Sequence, residues 1–198
     1  MNQKVKSMVG VALLIALVIV LQFLGAMIPP VGGFSISLVL IPIVIGAAVY
    51  GPGSGALLGG VFGAIVTINC VNGSDVGGAM VFQANPALCI LVVMGKGILA
   101  GLAAGWVYRL LKGKNAYVAM LCCAIVCPVV NTGVFLLGCS VFFMDTIKTW
   151  ALADYGENVV GYLFLGLAGV NFLVEVAINV LLTPAIVRLL DFRNKKKA

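Results

Sequence analysis

The chain has 198 residues, of which 63% are hydrophobic and 9% charged, with 12 Lys and Arg, 6 Asp and Glu and no His. A soluble globular domain carries about 25% charged residues, so this composition excludes a water-soluble enzyme or a disordered chain and indicates an integral membrane protein. The lack of His removes His-ligated haem or zinc and any Ser-His or Cys-His nucleophile pair, and a net charge of +6 set beside apolar runs points to lipid headgroups and topology rather than to nucleic acid.

A membrane-crossing helix needs about 20 apolar residues. Residues 7–74 carry no charge over 68 positions, too many for one helix, and breakers divide them. Pro29-Pro30 and Gly32-Gly33 end a first helix predicted over 8–28. Its basic start, Lys4 and Lys6, resembles a signal peptide, but the apolar run is too long for one and no A-x-A site follows. A second, short helix is predicted over 36–50, stopping at Gly51-Pro52-Gly53, and a third over 54–70. The polar stretch from Asn72 to Asp75 opens a loop to Pro86. A fourth helix is predicted over 87–111, a fifth over 116–143, a loop over 144–158, and a sixth helix over 159–190. The expectation is a single all-α domain over 1–198 with six transmembrane spans. Ten of the twelve basic residues fall on the side of the termini, and Asp75, Asp145, Asp154 and Glu157 on the other. The positive-inside rule then places both termini in the cytoplasm, with the loops 29–35, 71–86 and 144–158 outside.

Gly55, Gly59 and Gly63 recur every four residues on the third helix, and Gly97, Gly101 and Gly105 on the fourth. Such spacing lets helices approach closely in lipid. Gly95-Lys96-Gly97 lacks the earlier glycine and the following Ser or Thr of a phosphate loop, so no ATP site is encoded. The six cysteines form no CxxC, and no metal or cofactor is expected. Cys70 and Cys89 flank one outer loop, which leaves a disulfide there open.

Polar residues inside the spans carry the chemistry. Lys96 and Glu175 both fall near mid-membrane, where each costs roughly 2.5–3.5 kcal/mol on insertion scales and must face the bundle interior with a partner. Asn171, Glu175, Asn179 and Thr183 recur at every fourth position of the sixth helix, one polar stripe on an apolar element. On the fifth, Pro128 frees the carbonyl of Ala124, and Asn131-Thr132 follow. Lys96, Asn131, Thr132, Asn171, Glu175 and Asn179 are therefore the candidate small-molecule site. The alternative is that Lys96 pairs with Glu175 and glues the helices together, and both roles can coexist.

The chain resembles the membrane-embedded S component of energy-coupling factor (ECF) vitamin transporters. The resemblance rests on Ala12-x-x-x-Ala16, the stretches Ser35–Gly46 (SISLVLIPIVIG), Lys96–Gly105 (KGILAGLAAG) and Pro128–Phe135 (PVVNTGVF), and the segment Asn171–Pro184. It looks closest to the branch with riboflavin and pantothenate binders. The resemblance implies a substrate-capture subunit in a prokaryotic plasma membrane, not an enzyme. Such a subunit binds a vitamin outside and works with a membrane coupling subunit and two ATP-binding subunits. It also implies that Ala12 and Ala16 meet the coupling subunit, whereas packing logic alone equally allows them to face a neighbouring span. Outer aromatic residues are too scattered to insist on a flavin, and Lys96 with Asn131 suits a carboxylate-bearing ligand, which favours pantothenate, then riboflavin. A structural subunit of a membrane complex or an unrelated permease are the alternative functions. Intramembrane enzymes that use clustered carboxylates for metal are disfavoured, since no span holds two.

Overall fold

The computed structural model describes residues 2–26, 38–113, 115–156 and 158–195, and all the regular structure in them is helical. In chain order the elements are α1 (Gln3–Ala26), α2 (Leu40–Tyr50), α3 (Pro52–Asn72), α4 (Val76–Ala84), α5 (Pro86–Leu111), α6 (Ala116–Phe142), α7 (Met144–Asp154), α8 (Val159–Gly161), a π-helix (Tyr162–Ala168) and α9 (Gly169–Lys195). Five of them, α1, α3, α5, α6 and α9, are long and apolar enough to cross a membrane. The predicted first, third, fourth and fifth spans match α1, α3, α5 and α6 to within a few residues. Residues 27–37, which include the predicted 29–35 loop and the start of the second span, lie outside the described residues.

The six-span expectation is only partly matched. The eleven residues of α2 cover about 16 Å, roughly half the hydrocarbon core. Leu40, Ile43 and Val44 of α2 are nevertheless fully buried, so this short helix packs inside the bundle. Two predicted loops are partly helical. Between residues 71 and 86, Asp75 caps α4 by accepting a hydrogen bond from Gly78 N at 2.9 Å, and Asn85 then caps α5 through Leu88 N at 3.1 Å. Asx side chains at these positions satisfy backbone donors left over at a helix start. Between residues 144 and 158, α7 forms because Ile147 and Ala151, one turn apart, are both fully buried on its inner face. The predicted continuous helix 159–190 is interrupted: the π-helix wraps Leu163 and Leu167 inward before Gly169, at φ 17° and ψ −123°, restarts an α-helix. Glycines at 161, 166 and 169 make that irregular backbone inexpensive, and π-segments of this kind occur frequently at functional sites.

The bundle is built around the crossing of α3 and α5. A Cβ on Gly59 would fall on the carbonyl of Gly97, and one on Gly97 would fall on the carbonyl of Gly59. Gly55 and Gly101 interlock in the same way one turn further on. With lipid on the outside there is no hydrophobic gain from association, so helices gain stability here by backbone-to-backbone approach. Phe62, Leu58, Ala100 and Ala104 fill the seam around the glycines and are fully buried.

Candidate functional site

A cavity of about 50 Å³ lies where α1, α3, α5, α6, the π-helix and α9 converge. Its wall comprises Gln22 of α1, Phe62 and Val66 of α3, Asp75 at the head of α4, Lys96 of α5, and Asn131, Thr132 and Phe135 of α6. Leu167 and Ala168 of the π-helix and Asn171, Phe172 and Glu175 of α9 complete it. Asp75 follows the C-terminal end of α3, so the cavity belongs to the half of the bundle remote from the Arg109–Lys112 end of α5.

Burial and charge give the cavity its character. Lys96 is half-buried, and its ammonium lies 4.7 Å from the ring centroid of Phe135 and 5.9 Å from that of Phe62. A cation over two ring faces gains about 0.5–2 kcal/mol per contact, depending on how dry the site is. Those rings hold the ammonium at the wall and leave its three N–H donors available to a ligand. Two carboxylates, Asp75 and Glu175, share the same cavity, and Glu175 is only 6% exposed. Asn131 is 5% exposed, and its Oδ1 accepts no hydrogen bond among the described residues. A buried acceptor left in that state costs about 1–3 kcal/mol, which a ligand N–H or O–H would recover. The site therefore offers an amine, two carboxyl groups and an open acceptor within one small space, a set suited to a polar organic molecule with several hydrogen-bonding groups.

The structure brings Lys96, Asn131, Thr132, Asn171 and Glu175 to this one cavity. Asn179 is not on its wall. One turn further along α9, Asn179 Nδ2 donates to the carbonyl of Glu175 at 2.8 Å, and Thr183 Oγ1 donates to the carbonyl of Asn179 at 3.0 Å. This run of back-bonding along the buried face of the helix gives Asn179 and Thr183 local backbone partners. Gln22, Asp75, Phe62 and Phe135 are wall residues that sequence reasoning missed. A signal existed for Gln22, an amide in an otherwise apolar stretch of the first span and 5% exposed. None existed for the two rings, whose role depends on where Lys96 points. A second, apolar hollow of about 540 Å³ opens between α6 and the π-helix, separated from the cavity by Thr132, Ala168 and Phe172. No group of three His, Cys, Asp or Glu residues placed to hold a metal occurs among the described residues.

Ala12 and Ala16 are both exposed, on a helix whose residues Met8, Val9, Leu13, Leu17 and Val20 are exposed as well. Among the described residues neither packs against a neighbouring span. A small-residue face flanked by large apolar side chains is left open to the membrane.

The family model described as ECF transporter, substrate-specific component, matches residues 6–187 of the chain. No curated protein matches it closely enough for comparison.

Proposed function

Because the chain belongs to the family of ECF transporter substrate-specific components, we propose that its cavity captures a small carboxylate-bearing vitamin outside the membrane. The vitamin is then handed inward in company with a membrane coupling subunit and two ATP-binding subunits. The family supplies the coarse role, a membrane-embedded substrate-binding subunit. The observation that carries the finer reading is the presence, on one cavity wall, of the Lys96 ammonium and the open, buried Oδ1 of Asn131.

Pantothenate is the first candidate. Its carboxylate suits Lys96, and its hydroxyl and amide donors suit Asn131 and the carboxylate of Glu175. Riboflavin, with more aromatic surface and no carboxylate, comes second. At about 50 Å³ the cavity is far below the roughly 300–1,000 Å³ of ligand sites, so binding requires the wall to move. Thr132, Ala168 and Phe172 are the natural place, since they line both the polar cavity and the apolar hollow. Positive-inside topology puts the cavity half outward, in keeping with capture from the external medium in a prokaryotic plasma membrane. The exposed Ala12–Ala16 face is the proposed contact for the coupling subunit.

Native mass spectrometry of the chain, purified in mild detergent from cells grown on rich medium, tests this. The expected spectrum shows one bound organic acid of vitamin size. A bare chain that also takes up neither added pantothenate nor added riboflavin would overturn the reading and favour a purely structural subunit.

A further inference from the structure

Two thiols at the cavity end of the bundle take no part in the proposed binding chemistry. Cys70 lies in the last turn of α3 and Cys89 in the first turn of α5, with eighteen residues, including α4, between them. Both are buried, at 2% and 1% exposure, and both are unbridged. Both also meet Gly78 of α4: Cys89 Sγ donates to its carbonyl at 3.9 Å, and Cys70 Sγ occupies the space that a Cβ there would need. Cys70 lies 11 residues beyond Gly59 and Cys89 lies 8 before Gly97, so both thiols sit past the glycine crossing at the same end of the α3–α5 seam.

We propose that Cys70 and Cys89 are a redox pair that closes to an intramolecular disulfide, tying the end of α3 to the start of α5 beneath α4. The oxidant is an external disulfide, small-molecule or protein. One cysteine thiolate attacks it, forming a mixed disulfide and expelling one external thiol. The second cysteine then attacks the mixed disulfide and expels the other. Two cysteine thiols are oxidised by two electrons, one external disulfide is reduced to two thiols, and each cysteine's proton ends on a leaving thiolate. Positive-inside topology sets this end of the bundle outside the cytoplasm, the side on which disulfides persist. Both thiols are covered, so α4 must lift for the first attack.

The consequence reaches the cavity. Asp75 both caps α4 at Gly78 and lines the cavity wall. Closing the disulfide fixes the two helix ends on which that cap sits, and so fixes the Asp75 wall. The inference stands on the thiol geometry and does not depend on which vitamin is bound.

The full chain in detergent is incubated with oxidised glutathione, quenched with acid, then unfolded in the presence of N-ethylmaleimide and weighed intact. The reduced chain is expected to take up six maleimides, one per cysteine, and the oxidised chain two fewer. Digestion is expected to yield a linked peptide pair containing Cys70 and Cys89, and dithiothreitol to restore full labelling. The oxidised form is expected to unfold roughly 6–12 °C higher, as closing a loop of this length implies. Cys89→Ala is expected to give no linked peptide. Full labelling of the glutathione-treated chain, or a linkage that joins any other pair such as Cys89 with Cys139, would overturn the proposal.

Discussion

Gly59→Ala and Gly60→Ala add the same single methyl to neighbouring residues of α3, yet the structure requires opposite outcomes. At Gly60 the new carbon would sit 3.6 Å from Ile98 Cγ1, an ordinary contact. There the helix loses only the conformational freedom of a glycine in its unfolded state, a stabilisation of about 0.5–1 kcal/mol. At Gly59 the new carbon would fall on the Gly97 carbonyl, which is backbone and cannot rotate aside. The two helices must separate, and Phe62, Leu58 and Ala100 lose close contact with them. Overpacking of this kind costs about 1–3 kcal/mol, and the upper part of that range applies because no side chain can yield. Less the helix-propensity gain, Gly59→Ala should lose about 1–2 kcal/mol. At about 2–4 °C per kcal/mol for a chain of this size, its unfolding midpoint should fall by roughly 2–8 °C, while that of Gly60→Ala should rise by about 1–4 °C. Thermal unfolding in detergent with a thiol-reactive dye reads both, because Cys123 and Cys127 are fully buried until the bundle opens. Equal midpoints for the two variants would refute the claim that backbone contact at the α3–α5 crossing holds the fold.

Three further outcomes follow from particular side chains. Ala12→Trp combined with Ala16→Trp should leave the midpoint of the isolated chain within a few degrees of wild type, because both positions are exposed; co-purification with the coupling module should be lost, and normal vitamin uptake by this variant would remove the face from the mechanism. Asn131→Leu should match or exceed wild-type stability without ligand, since it deletes a buried acceptor that has no donor. The same variant should lose about tenfold in vitamin affinity, read as a smaller ligand-induced rise in the midpoint, and an undiminished rise would exclude Asn131 from the site. Asn115 caps α6 by accepting from Tyr117 N at 2.9 Å and Val118 N at 3.2 Å; Asn115→Ala should cost about 1 kcal/mol, seen as a drop of roughly 2–4 °C with ligand affinity unchanged.

The long helices were legible because their signal is strong: uninterrupted apolar runs bounded by Pro, Gly and charge leave few alternatives in lipid. The glycine registers on α3 and α5 were legible for the same reason. What sequence reasoning missed depends on short-range polar contacts. Asp75 and Asn85 each cap a helix inside a stretch that reads as loop, and a four-atom cap leaves little trace in hydropathy. The π-helix at Tyr162–Ala168 has no periodicity of its own and only looks like more of the same span. At the site, intramembrane polarity singles out Lys96, Asn131, Asn171 and Glu175, and these four share one cavity wall. The same periodicity argument also drew in Asn179, because spacing identifies a face of a helix but not how far along it the cavity extends. Phe62 and Phe135 could not be singled out among ten phenylalanines until the Lys96 side chain had a direction.

The central claim is that Lys96 recognises an anionic vitamin, and titration calorimetry of pantothenate into the purified chain and its Lys96→Met variant tests it most directly. Removing one partner of a buried charge pair costs about 2–5 kcal/mol, which is roughly 30-fold or more in affinity at about 1.4 kcal/mol per tenfold. The loss of two cation–π contacts is offset by relief of a charge in mid-span, so the variant should keep an unfolding midpoint within a few degrees of wild type. Measurable pantothenate binding by the wild-type chain and a loss of at least about 30-fold in the folded variant are expected. Equal affinity of the two folded proteins for pantothenate would contradict it.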